Sequence, residues 1–200
     1  MITGIDISEK NGQVLLDGTI GNDLSFVYIK ASEALNSEDR CFHENITAAR
    51  KNGLLVGAYH WLHPRLHVGQ QAKFFMDVVN NFNGMLPPVV CLNTHRDSLS
   101  KIGQNVKTFL MILKENVGAA PVIYTSKDYW EKYLADASWA SEFPLWLDFP
   151  GSNWPPQLFP WAGWTFWQHD YAGKVPGIHA KIGVNLFNGS KYELEEMVIQ

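Results

Sequence analysis

The stretch Ser25–Trp61, SFVYIKASEALNSEDRCFHENITAARKNGLLVGAYHW, decides the fold. Its two ends, Ser25–Ala31 and Leu55–Trp61, are short runs rich in β-branched and aromatic residues, the composition of buried strands. Between them Arg40–Asn52 carries apolar residues at helical spacing and stops before Gly53, a residue free to take the left-handed conformation of a helix end. Strand, helix and strand in this order predict a parallel pair, because parallel strands need a crossover of this length to lie side by side.

The alternation continues in both directions. Thr3–Ile7 lies upstream as a strand, and Val89–Asn93, Val122–Thr125, Leu145–Phe149, Thr165–Gln168 and Val184–Phe187 follow downstream. Helices are predicted over His67–Phe82, Ser98–Val117 and Lys127–Leu134, the first two stopping before Gly84 and Gly118. After residue 135 the helices thin out. Pro144, Pro150, Pro155, Pro156 and Pro160 punctuate a stretch holding six of the eight tryptophans, so the last third reads as loops and strands. Eight strands with helices mainly in the first two thirds predict one α/β domain over 1–200, a barrel with an incomplete outer ring. An open doubly wound sheet is the alternative, and the absence of a Gly-rich phosphate fingerprint after any early strand counts against it.

Composition narrows the function. A chain of 200 residues with 46% hydrophobic content can bury one sizeable core, and its formal charge of −4 with no run of like charge leaves no footprint for nucleic acid or an anionic membrane. No apolar run reaches the roughly 18 residues of a spanning helix. Cys41 and Cys91 sit in unlike contexts and predict reduced thiols rather than a disulfide or a zinc site. Met1 leads into Thr3–Ile7 without a basic or apolar leader, which as written predicts a cytoplasmic place or export by a route needing no signal peptide.

In a parallel barrel the working residues lie at the C-terminal ends of the strands. Those ends hold Asp6, Glu33, Tyr59, Asn93, Tyr124, Trp146, Asp148, Trp167 and Gln168. Aromatic rings stack on sugar faces while carboxylates and amides read hydroxyl and acetamido groups, so this set predicts a carbohydrate site. His60, His63 and His67 have a metal-like spacing, but Pro64 breaks the helix they would need, and neither a metal nor a cofactor is expected.

The chain resembles the glycoside hydrolase family 25 lysozymes, the Chalaropsis-type N-acetylmuramidases, along nearly its whole length. The resemblance is carried by Gly4-Ile5-Asp6-Ile7-Ser8, Phe26-Val27-Tyr28-Ile29-Lys30-Ala31-Ser32-Glu33, Gly53–His60, Leu86-Pro87-Pro88-Val89-Val90, Ile123-Tyr124-Thr125, Pro144-Leu145-Trp146, Phe166-Trp167-Gln168 and Phe187-Asn188-Gly189. It implies a flattened (β/α)5(β)3 barrel with a groove for peptidoglycan or a related amino-sugar glycan. It also implies two carboxylates at the end of the Leu-Pro-Pro strand and a third acid in the last strand. Here those positions hold Cys91, Asn93 and, if Asn185 matches the family Asn, Gly183. Of the usual acidic set Asp6 remains.

Glycoside hydrolysis needs a proton delivered to the leaving oxygen and a charge to stabilise the oxocarbenium-like centre. The amide of Asn93 has no titratable proton, and a thiol at its ordinary pKa of about 8.5 supplies no fixed charge. Loss of muramidase activity, with glycan binding retained, is therefore the expectation. Two alternatives stand beside it. One is hydrolysis by relocated acids, with Asp6 paired to Asp148, although Asp148 reads more readily as a loop cap or the partner of a base. The other is a protein-interaction module using the Trp154–Trp164 region. Glu33 can simply orient its neighbours, and Cys91 and His95 are too far apart for a thiol–imidazole couple, at roughly 13 Å along an extended strand.

Overall fold

The computed structural model describes residues 1–12, 24–93, 101–175, 178 and 180–200. In chain order the elements are β1 (Ile2–Ile7), β2 (Phe26–Glu33), β3 (Ser37–Glu38), α1 (Phe42–Lys51), β4 (Leu55–Trp61), α2 (Val68–Val79), β5 (Val89–Leu92), α3 (Ile102–Val117), β6 (Val122–Ser126), α4 (Lys127–Tyr133), β7 (Leu145–Asp148), β8 (Phe166–Gly173), β9 (Ile182–Phe187) and α5 (Lys191–Glu196). Short 3-10 turns occupy Glu9–Asn11 and Ser138–Glu142.

The strands close a ring in the order β1-β2-β4-β5-β6-β7-β8-β9 and back to β1, with β3 folded against the end of β2 as an extra strand. All neighbours from β1 round to β8 are parallel. Strand β9 is antiparallel to both of its neighbours and seals the seam, pairing Ile2 with Phe187 and Asp6 with Gly183. The expected eight-stranded α/β barrel is thus the fold found.

Alternation along the strands divides the core in two. Val27 and Ile29 join the outer layer under the helices, whereas Phe26, Tyr28, Val89, Cys91, Val122, Trp146, Phe166 and Phe187 fill the barrel. Large rings inside need small neighbours: a Cβ on Gly4 would sit 2.4 Å from the Phe26 ring, and one on Gly57 would sit 2.1 Å from the Tyr28 ring. Leu194 of α5 joins this inner set, with Ser190 and Glu193 forming a reciprocal cap at the helix start.

Two boundaries depart from expectation. Helix α2 ends at Val79 rather than running to Phe82, because Asn80 takes φ 62°, a left-handed conformation that Asn tolerates better than most residues. Strand β8 continues five residues past Gln168 to Gly173, with its register to β9 shifting after Gln168 and again after Asp170. That extension carries Tyr171 over the barrel mouth.

Candidate functional site

The C-terminal ends of the parallel strands form one mouth. Asp6 comes from β1, Cys91 from β5, Tyr124 from β6, Trp146 and Asp148 from β7, Gln168 from β8 and Asn185 from β9; Asn93 lies just beyond β5. Asp6 Oδ1 accepts from Gln168 Nε2 at 2.8 Å and from Asn185 Nδ2 at 2.9 Å. Gln168 Oε1 in turn accepts from the Tyr124 hydroxyl at 2.5 Å, and Asn185 Oδ1 from the Trp146 indole at 3.2 Å. Each amide therefore has its orientation fixed from behind and presents its nitrogen to Asp6. Gly183 makes the arrangement possible, since a Cβ there would lie 2.0 Å from both Asp6 Oδ1 and Gln168 Nε2.

Loss of hydration among the aromatic walls pushes the Asp6 carboxyl up to about 6, the Asn185 hydrogen bond pulls it down, and the charge of Asp148 pushes it up again. Asp148 is only 4% exposed. One of its oxygens accepts from the Tyr171 hydroxyl and the other from Asn93 Nδ2 at 3.5 Å, the limit of a useful contact. Burial raises its pKa, while the Tyr171 and Tyr124 hydroxyls oppose the rise. Burial also drives the Cys91 thiol well above its ordinary range, with the Asp6 charge adding to the effect, so the sulfur is a neutral thiol.

Among the described residues three clefts open at this end. A pocket of about 40 Å³ lies over Asp6, Cys91, Tyr124 and Trp146. Beside it, sharing Tyr59 and Trp61, is one of about 240 Å³ that reaches Lys30, Glu33 and His63. On the other side Asn93, Asp148 and Tyr171 open into a cleft of about 460 Å³ walled by α4. Lys30 and Glu33 would face opposite ways on a regular strand; the register shift between Lys30 and Ser32 brings both to the mouth. There Lys30 Nζ meets Glu33 Oε2 at 2.5 Å and His63 Nε2 lies 3.0 Å from Glu33 Oε1.

Asp6, Cys91, Asn93, Tyr59, Tyr124, Trp146, Asp148 and Gln168 thus share the mouth, with Glu33 at its edge. Trp167 does not. It points to the outer layer, where its ring centroid lies 5.8 Å from that of Trp164 and its indole donates to the Phe149 carbonyl at 2.8 Å. Phe166 and Gln168, on either side of it, face inward, so the expectation that Trp167 lines the cleft is corrected by the alternation of the strand. Trp146 is 1% exposed and packs at 4.9 Å from Tyr28 as part of the barrel filling, leaving only its edge at the pocket floor.

The three spaced histidines have separate tasks. His60 is buried between Ser32 and Gln71, His63 meets Glu33, and His67 caps α2 by accepting from the Gln70 N–H. His95 lies outside the described residues. The Trp154–Trp164 segment lines a cleft of about 270 Å³ with Leu145 and Asn188, at the start of β7 and the end of antiparallel β9. It is therefore at the opposite end of the barrel from the mouth. Sequence reasoning passed over Trp61 and Tyr171. Trp61 stands two residues from Tyr59 and so on the same strand face, a signal that was available; Tyr171 follows two irregular pairings and gave none.

A sequence profile of the glycosyl hydrolases family 25 matches residues 5–178. The chain is 32% identical over 179 residues to the uncharacterized protein YegX of Escherichia coli O157:H7, which covers 89% of this chain and 64% of that protein. It is 31% identical over 209 aligned positions to Lysozyme M1 of Streptomyces globisporus, covering 96% of this chain and 70% of the relative. In three dimensions it is similar to a bacterial lysozyme from Streptomyces coelicolor, with TM-score 0.92 and 27% identity over 98% of this chain and 96% of that one.

Proposed function

Because this chain belongs to the glycosyl hydrolases family 25, we propose that it binds peptidoglycan or a related amino-sugar glycan at the barrel mouth without hydrolysing it. The observation that carries the reading is the chemistry at the end of β5. Asn93 offers an amide whose N–H points to Asp148, and Cys91 is a buried neutral thiol. Neither group supplies a proton or a fixed negative charge to a glycosidic oxygen. The remaining mouth keeps what recognition needs: clefts of about 240 and 460 Å³ with aromatic and polar walls.

One observation favours a second reading, in which Asp6 and Asp148 replace the lost pair. Both carboxyls have raised pKa values, and the charge of Asp148 is one cause of the rise at Asp6. Their partners weigh against it. Asp6 accepts from two amide nitrogens and Asp148 from a phenol and an amide, which are hydrogen bonds to the charged forms. A proton donor would have to give up these contacts.

Purified protein incubated with bacterial cell walls between pH 4 and 8 tests both readings. The expected result is no reducing sugar above background together with co-sedimentation of protein with the insoluble walls. Release of reducing sugar that Asp148→Asn abolishes would establish the second reading and overturn the first.

A further inference from the structure

We infer that the glycan is held to one side of Asp6 and Cys91 rather than over them, in the cleft that Asn93 and Asp148 share with α4, and that Asp148 reads a hydroxyl-bearing amino sugar there. The inference rests on the glycan-binding function proposed above and goes further in naming the place and the recognising residue.

Space is the first argument. The pocket above Asp6 and Cys91 measures about 40 Å³, less than a tenth of the cleft of about 460 Å³ next to it. A pyranose ring does not enter it. The neighbouring cleft of about 460 Å³ lies within the roughly 300–1,000 Å³ typical of small-ligand sites.

The second argument is hydrogen-bonding capacity. An ionised carboxylate offers about four acceptor positions. Among the described residues Asp148 has one firm donor, the Tyr171 hydroxyl; the Tyr124 hydroxyl lies near enough to act on its charge but donates to Gln168, and the second oxygen accepts only the long 3.5 Å contact from Asn93. That oxygen belongs to a side chain that lines the cleft. A sugar hydroxyl approaching it makes an O–H to carboxylate bond, shorter and stronger than the amide contact it would replace.

The walls supply the rest. Tyr133 and Tyr171, the latter 51% exposed, line the cleft, and buried Tyr129 backs Tyr133 with ring centroids 4.9 Å apart. Phenol rings present an apolar face with a polar tip, which suits a sugar whose C–H face and hydroxyl rim alternate. Lys132 and Ser126 also line the cleft and are donors for an acetamido carbonyl.

The test is titration of the whole chain with triacetylchitotriose, followed by calorimetry, with circular dichroism confirming that each variant is folded. Asp148→Asn keeps the shape and removes the charge, and should weaken binding about tenfold, the difference between a charged and a neutral acceptor. Tyr133→Ala, on the cleft wall, should weaken it several-fold and keeps the test open if Asp148→Asn does not fold. Trp154→Ala, at the far end of the barrel, should bind as the wild type does. If Trp61→Ala loses binding while Asp148→Asn and Tyr133→Ala retain wild-type affinity, the glycan lies in the other cleft; this inference is then overturned and the glycan-binding function stands. If the wild-type chain binds neither triacetylchitotriose nor a soluble muropeptide, the function itself falls and the site with it.

Discussion

Replacing Gly183 by Ala tests whether the empty space on β9 is structural necessity or chance. An alanine Cβ would stand 2.0 Å from Asp6 Oδ1 and from Gln168 Nε2, the two atoms joined by a 2.8 Å hydrogen bond. Both are far inside van der Waals contact, so at least one must retreat by more than an ångström. The hydrogen bond cannot survive that movement. Gly183 pairs directly with Asp6 across the β1–β9 ladder, which leaves the backbone little freedom to absorb the shift. Overpacking typically costs 1–3 kcal/mol and a lost hydrogen bond to a charged group about 1.5–3, so the variant should be destabilised by about 3–5 kcal/mol. Urea unfolding would register this as a midpoint lowered by about 1–2 M at an ordinary slope. Repeating the substitution in an Asp6→Ala background removes the carboxylate and lets the Gln168 amide swing away; there the cost should fall below about 1 kcal/mol. An equal cost in both backgrounds, or a single variant within about 0.5 kcal/mol of wild type, would refute the argument. The same geometry bears on any attempt to restore acids: an aspartate at position 183 requires Gln168 to leave Asp6 first.

Other outcomes follow from the mouth and the core. Cys91→Asp with Asn93→Glu sets a new carboxylate beside Asp148, whose oxygen is 3.5 Å from the Asn93 amide. Adding Asp148→Ala should therefore raise cell-wall hydrolysis above that of the double variant, and equal release of reducing sugar would count against this reading of the repulsion. Two groups set opposing pH dependences. Asp6 titrates at about 6 in the fold against an ordinary 3.8, so it costs nothing below 3.8 and destabilises progressively as pH rises through 6. His60, lowered from 6.5 to about 4 by burial, costs nothing above 6.5 and destabilises as pH falls toward 4. Each amounts to about 3 kcal/mol, and between pH 4 and 6 they largely cancel. Asp6→Asn leaves the histidine alone, so its stability should fall toward pH 4 by about 3 kcal/mol more than that of the wild type; parallel profiles would contradict this. Finally, Trp167→Ala should cost about 3–5 kcal/mol by emptying the outer layer while leaving glycan affinity unchanged, and an affinity loss in folded protein would restore Trp167 to the cleft.

The barrel was legible because its strands are nearly continuous apolar runs and its early helices carry clear stop signals, as in Ser25–Trp61. That the polar residues of the strand ends would meet also followed, since parallel strands in a closed ring share one direction. The facing of individual side chains was harder. Phe166 and Trp167 are both apolar, so alternation there carries no polarity and cannot say which one points inward. Tyr171 sits in His169-Asp170-Tyr171, a polar run whose pairing shifts twice, and it reads as loop until β9 is seen beside it. Gly183 could be read as a lost acid by resemblance, but the reason that nothing larger fits lies in Gln168 and Asp6, one nearby in sequence and the other at the far end of the chain. Asn80 ended α2 by a backbone conformation that Gly84 was better qualified to adopt.

The seam between β1 and β9 has a consequence for how the molecule is made. The hydrogen bond between Asn185 and Asp6 spans 179 positions, nearly the whole of the barrel. Strand β1 has its β2 neighbour early in synthesis but waits for β9 before its second edge is covered. Until then an unpaired edge and an open, aromatic-filled interior are exposed together, a vulnerable stage for a chain whose contacts are so distant in sequence. Because the clamp on Asp6 joins the first and last strands of the barrel, a chain that has not yet added β9 lacks an assembled mouth. Recognition is thereby tied to closure of the barrel.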